Sequence, residues 1–238
     1  ARSAGRLLLD SAAAALDQGL PHDARELCDE ALALGEPLGE LGRGVARRLR
    51  AESLVQLGQP REAERDYTRA IERCRAVEAS KELADALRGA GELRRESGDP
   101  EGALDNLEEA LAISDEAGDT SGGAAALTGI GRTLIAMGRT EEAEQRLGSG
   151  LRQARRSGDE ALAAELLVLL GELDLRAGRT EPALERFREA ETAAAGREDR
   201  SSRDAARRGR IRALEAGDRL LDALAEADNW LADSRESR

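Results

Sequence analysis

Aromatic residues are nearly absent: the 238-residue chain has one Trp, one Tyr and one Phe, 1% of the total. With so few rings, and with Val, Ile and Thr scattered rather than clustered, there is no material for several β-strands. Histidine occurs once, at His22, and cysteine twice, at Cys28 and Cys74, without a CxxC spacing. That supply excludes a disulfide framework, and His22 with Cys28 offers at most two ligands, short of a structural zinc site. No metal or other cofactor is expected. Phosphate-binding signatures, GxxxxGK[ST] or a strand-borne GxGxxG, are also missing; Cys28 reads as a small buried apolar residue rather than a nucleophile, and Cys74 has no histidine placed to activate it. The sequence therefore proposes no enzyme. There is no run of eighteen apolar residues to span a membrane, and the N-terminus lacks the succession of a signal peptide. A cytoplasmic chain without a membrane partner is the expectation. Lysine occurs only at Lys81; the arginine, alanine and glycine usage points to a GC-rich bacterial genome. The chain starts at Ala1 rather than Met and is in helical pattern by Arg6, so a segment of a longer protein is expected.

What is present is 40% hydrophobic and 35% charged residue, chiefly Ala, Leu, Arg and Glu. This mixture favours helix. The 48 acidic against 36 basic residues give a net charge of -12, which repels nucleic-acid backbone and anionic lipid. No nucleic-acid partner is expected through this region. The most basic stretch, Arg197 to Arg212, has Asp199 and Asp204 to offset its arginines and no interleaved aromatics for base stacking. It reads as the turn and first helix of a repeat.

The organising feature is a period. A glycine is followed five residues later by an alanine at Gly19/Ala24, Gly58/Ala63, Gly98/Ala103, Gly138/Ala143 and Gly178/Ala183, with a sixth copy, Gly217/Ala223, stretched by one. The glycines are spaced 39, 40, 40, 40 and 39 residues apart. A fixed period in this range marks stacked repeats. About seven residues before the middle glycines stand small residues, Ala51, Gly91, Gly131 and Gly171, where a neighbouring helix can approach. Each turn glycine suits the left-handed position that ends a first helix. Asp99-Pro100 starts a second helix, and Thr140 and Thr180 are read as caps in their units. Four residues after each of the first five alanines come the core plugs Cys28, Tyr67, Leu107, Leu147 and Phe187. The units are about 5–43, 44–83, 84–123, 124–163, 164–202 and 203–238, one array over 1–238. Trp230 is expected to close the last apolar face.

This succession of small residue, Gly, Ala, large residue and Ala resembles the tetratricopeptide repeat over residues 5 to 232. The resemblance implies an all-α, right-handed superhelical solenoid of about six helix-turn-helix repeats. Two departures stand out. The period is 40 rather than 34, as in arrays of large bacterial transcriptional regulators, peptide-sensing regulators and kinesin light chains. In addition, Arg47 and Arg50 stand where the family pattern wants apolar residues, and Arg210 falls on the small-residue position of the sixth unit, which leaves the register of both units open. By resemblance, the groove lined by first helices binds partners. Its concave positions here would be Arg48, Leu49, Glu52, Val55, Asp85, Arg88, Glu92, Arg95, Thr128, Arg132, Ile135, Glu165, Val168, Leu169, Glu172 and Arg176. The arginines can hold carboxylates and the apolar members can receive an extended segment or helix; the competing reading is a self-neutralising face with pairs such as Arg88–Glu92. The lysine and asparagine clamp of chaperone-binding arrays is not matched, with Lys81 in a turn and Asn106 and Asn229 on second helices. The resemblance implies a non-catalytic protein- or peptide-binding scaffold within a larger bacterial regulatory or signalling protein. The alternative is a ligand- or peptide-sensing regulator that controls an attached output domain.

Overall fold

A computed structural model describes residues 2–195 and 200–236. Among these residues there are twelve α-helices and no strand. They are α1 (Arg2–Asp17), α2 (Pro21–Ala33), α3 (Gly39–Gln56), α4 (Pro60–Ala76), α5 (Ser80–Glu96), α6 (Pro100–Ala117), α7 (Thr120–Ala136), α8 (Thr140–Ser157), α9 (Glu160–Arg176), α10 (Thr180–Ala195), α11 (Arg200–Ala216) and α12 (Leu220–Glu236). The chain divides into two compact units, Ala1–Thr133 and Leu134–Arg238. In the first, α1 packs on α2, α3 on α4 and α5 on α6, and the first helices α1, α3 and α5 touch in succession. In the second, α9 packs on α8, α10 and α11, and α11 on α12.

The periodic glycines do what their spacing predicts. Gly19, Gly58, Gly98, Gly138 and Gly178 all have φ between 70° and 84°. After α5, Gly98 N donates to the Arg95 carbonyl at 3.2 Å and Asp99 N to the Arg94 carbonyl at 2.9 Å, which closes the helix end in a Schellman motif. Asp99 then accepts from Gly102 N at 3.0 Å, so one short turn ends α5 and caps α6. Asp119 and Asp159 cap α7 and α9 in the same way. The threonine caps are not found: α8 begins at Thr140 itself, with Arg139 at the cap position and no side-chain cap bond, and Thr180 is likewise the first residue of its helix. Lys81 lies inside the first turn of α5 rather than between helices.

The sixth turn settles its register through a different residue. Asp218 has φ 57°, and Asp218 N and Arg219 N donate to the Glu215 and Leu214 carbonyls at 3.1 and 2.9 Å. Asp218 therefore does the work of Gly178, 40 residues later, and Gly217 is the last-turn residue before it. The apparent one-residue stretch disappears. The small-residue position becomes Ile211, and Arg210 aligns with Arg50.

The plugs are buried, with Cys28, Leu147 and Phe187 at 0%, Leu107 at 1% and Tyr67 at 3% exposure. Phe187 and Leu107 are each clamped between two glycines. A Cβ on Gly171 of α9 would stand 2.8 Å from the Phe187 ring, and one on Gly209 of α11 only 2.3 Å from it. Leu107 is held likewise between Gly91 and Gly129, and Tyr67 lies against Gly89. Ring or isobutyl group thus replaces the missing side chains on both sides, which keeps the helices close without voids. The second glycine of each clamp stands two residues before the expected small position, where the period alone predicts nothing.

Candidate functional site

The arginines that break the apolar pattern are answered across helices. Arg47 Nη1 donates to Asp66 Oδ1 at 2.9 Å, and Arg50 grips the same carboxylate with Nε at 2.7 Å and Nη2 at 2.9 Å. Arg50 Nη1 reaches on to Asp29 Oδ1 of α2 at 2.6 Å. Asp66 is 3% exposed, and its hydrogen bonds push the Arg50 guanidinium further into its charged form. Arg207 and Arg210 of α11 repeat the device with Glu191 of α10, and Arg210 continues to Glu226 of α12. In α9 the polarity is reversed: buried Asp174 receives Arg179 Nε and Arg186 Nη1, both at 2.6 Å.

Ten of the sixteen expected groove positions lie in the first unit and six in the second. In the first, Leu49 is 3% and Thr128 4% exposed. Leu49 packs with Ala12 and Cys28, and the Thr128 hydroxyl donates to the Ala124 carbonyl at 2.9 Å. Both are therefore packing residues. Arg48, Glu52, Val55, Asp85, Arg88, Glu92, Arg95 and Arg132 are half-buried. In the second unit Val168 belongs to the core around Phe187; Ile135, Glu165, Leu169 and Glu172 are half-buried and Arg176 is exposed. Glu172 accepts from Arg212 at 3.0 Å.

The structure brings Arg48, Glu52, Asp85 and Arg88 together on α3 and α5. Arg48 pairs with Glu52 and Arg88 Nη2 with Asp85 at 2.6 Å, while Arg95 holds Glu92 at 2.8 Å. The partner of Arg88 is thus Asp85, one turn back, rather than Glu92. Charges of the two helices also feel each other. Burial pushes the Glu52 carboxyl up, opposed by Arg48 and Arg88 and reinforced by Asp85. Burial works against the Arg48 charge, but Glu52 and Asp85 outweigh it and raise its pKa. Tyr67 lies beneath this cluster, its hydroxyl pushed up by burial and by Glu52. Such pairs can exchange an intramolecular carboxylate for one on a ligand.

The remaining chemical groups are quiet. Among the described residues no group of three His, Cys, Asp or Glu is placed to hold a metal ion. Cys28 is buried and its thiol is pushed up to about 12, first by burial and then by Asp29; Cys74 is raised by burial. Both thiols are expected to react with a disulfide reagent at pH 8 at least about a hundredfold more slowly than in denaturant, because the thiolate is the nucleophile; rapid labelling of the native protein would contradict this. The Trp230 indole donates to Asp204 Oδ1 at 3.1 Å, which ties α12 to α11. Asp199, invoked to offset the basic stretch, lies outside the described residues. No helix among the described residues is long and apolar enough to cross a membrane.

Repeated antiparallel helix pairs, turned by left-handed residues every 40 positions and interlocked through plugs, define a helical repeat protein. The tetratricopeptide repeat model matches residues 43–116 and 123–195, more than half of the chain, and the chain belongs to that family. No curated protein sequence matches it. Among solved structures, the apo form of RapI is similar at TM-score 0.77 and 16% identity, over 98% of this chain and 84% of that one. A Rap protein complexed with Competence and Sporulation Factor gives TM-score 0.76 and 17% identity, over 98% and 68%. A signal transduction ATPase with a tetratricopeptide repeat sensor from Pyrococcus horikoshii gives TM-score 0.80 and 18% identity, over 98% of this chain but only 38% of that one. At these identities the likeness is one of fold.

Proposed function

We propose that the chain is a non-catalytic scaffold that binds a protein or peptide segment along its first-helix face, as a cytoplasmic module of a larger bacterial regulatory or signalling protein. This reading takes residues 1–238 as one array of six repeats. The observation that carries it is the half-buried row Arg48, Glu52, Asp85, Arg88, Glu92 and Arg95, whose charges are spent on short-range pairs within their own helices rather than on holding helices together as Arg47 and Arg50 do. Pairs one turn apart on a single helix contribute little to stability. They leave guanidinium groups at one surface that a partner's carboxylates can engage. Val55 supplies an apolar position in the first unit, and Ile135 and Leu169 supply two in the second. The likeness to a Rap protein complexed with Competence and Sporulation Factor supports the reading.

Selection from a displayed peptide library tests it. Reversal of three charges, Arg88→Glu, Arg95→Glu and Arg132→Glu, is expected to weaken the selected peptide about tenfold or more, whereas Arg61→Glu with Arg69→Glu on α4 leaves it unchanged. Equal affinity for the triple variant sinks the proposal. A second reading, a sensor that passes ligand binding to an output domain, is supported by the likeness to the sensor of the Pyrococcus horikoshii ATPase. It requires a rise in melting temperature with a diffusible ligand alone.

A further inference from the structure

The clefts between successive second helices, floored by the first helix between them, follow one rule in three cases: a charge on the floor meets an opposite charge on a wall. Over α3, Arg47 and Arg50 meet Asp66. Over α9, Asp174 meets Arg186. Over α11, Arg207 and Arg210 meet Glu191, and Arg210 also meets Glu226. The cleft over α5, between α4 and α6, breaks the rule. Its floor carries Arg94 and its wall Asn106, which stand 80 residues before Asp174 and Arg186 in the sequence. The guanidinium therefore faces a neutral carboxamide where the corresponding floor charge has its counter-ion. Among the described residues Arg94 has no ion pair, and its bond is to the Gly102 carbonyl at 3.2 Å.

This cleft is also open where its counterparts are filled. The floor position taken by Arg50 in α3, Ile130 in α7 and Leu170 in α9 is Ala90 here, and the space left measures about 680 Å³, against about 340 Å³ for the cleft over α3. That size suits a small organic ligand. Its base is apolar, formed by Ile71, Leu87, Ala90 and Leu93 beside the Tyr67 ring. Of the lining carboxylates nearest α6, Glu109 is held by Arg75 at 2.5 Å and Asp99 Oδ1 by Gly102 N at 3.0 Å, while Asp99 Oδ2 lies near the Arg94 guanidinium without pairing to it. Glu64 and Glu72 line the α4 wall together with Arg61, so negative charge is disfavoured there and welcome at Arg94.

We propose that the cleft between α4 and α6 is a binding site for a small amphipathic monocarboxylate, its acid group on Arg94 and Asn106 and its hydrocarbon on Leu87, Ala90 and Leu93. The carboxylate supplies the counter-charge that the other clefts provide from their own walls, and the hydrocarbon fills the volume that Ala90 leaves. This site is separate from the first-helix face.

Calorimetric titration of the whole chain with octanoate, and with 1-octanol as the uncharged match, tests the proposal. Saturable octanoate binding with Kd below about 1 mM is expected, with 1-octanol at least about tenfold weaker. Arg94→Gln should weaken octanoate about tenfold and leave 1-octanol unchanged. Ala90→Leu, which introduces the residue already present as Leu170, should abolish both, with retention of the fold checked by its helical circular dichroism. The Arg88, Arg95, Arg132 reversal should bind octanoate as the parent does, so this site can fail or stand independently of the first-helix face. Absence of saturation at about 1 mM, or octanoate affinity unchanged in either cleft variant, overturns the proposal.

Discussion

Replacement of Phe187 by alanine is expected to lower the unfolding free energy of the region around α9, α10 and α11 by about 3–5 kcal/mol. The ring is fully buried and fills the space that Gly171 and Gly209 leave on its two sides, so neither helix has a side chain that can move into the cavity. A backbone that cannot collapse keeps the void. Phe187→Leu should cost much less, because Leu107 already occupies the same kind of clamp between Gly91 and Gly129. Conversely, Gly209→Val should destabilise by about 1–3 kcal/mol or more through overpacking, since its first carbon would meet the ring at 2.3 Å. Repeat arrays unfold in parts, so hydrogen exchange of α9 to α11 amides is the appropriate measurement. A loss of protection equivalent to less than about 1 kcal/mol in Phe187→Ala would show that the clamp relaxes.

Asp66→Ala should be the most damaging single change in the first unit, at about 3 kcal/mol, because it leaves Arg47 and Arg50 without their shared counter-ion. Urea denaturation reads the effect. The informative comparison is the triple change Arg47→Leu, Arg50→Ala, Asp66→Asn, which copies Leu87, Ala90 and Asn106 from the next repeat. It should be close to neutral, since exchanging both guanidinium groups for apolar side chains and the carboxylate for a neutral carboxamide removes the desolvation cost of all three charges along with their attraction. Should the triple change cost as much as Asp66→Ala, the pairing would be contributing net stability rather than satisfying itself.

The period, the turn glycines, the Asp99 cap and all five plugs were legible because each depends on residues a fixed distance apart along one chain. What escaped notice depends on a partner in another helix. The second glycine of each clamp is visible in Gly89-Ala90-Gly91 and Gly129-Ile130-Gly131, but its purpose appears only when the following repeat is seen to close on the same plug. Arg47, Arg50 and Arg210 looked like faults in register because their acids, Asp66 and Glu191, come 16 to 19 residues away. For the candidate face, the family resemblance supplies first-helix positions but not their depth. A first helix is flanked by its own second helix and by the neighbouring repeats, so Leu49, Thr128 and Val168 turn into packing while positions a turn away stay half-open. Pair geometry was misread for a similar reason: Arg88 reaches back three residues to Asp85, a choice that side-chain rotamers make and periodicity does not.

The variation among plugs has a consequence for assembly. A chain of six near-copies invites each helix to dock on the wrong neighbour while folding. Here the mating positions differ in volume: small Cys28 meets Leu49, bulky Tyr67 meets Gly89, and Phe187 meets Gly209. A helix bearing Leu49 cannot close over Phe187, and one bearing Gly209 would leave a hole over Cys28. Size thus works as an address wherever it changes: it separates the joint closed by Leu49 from those closed by a glycine, and helices on either side of that difference cannot trade places without a clash or a void.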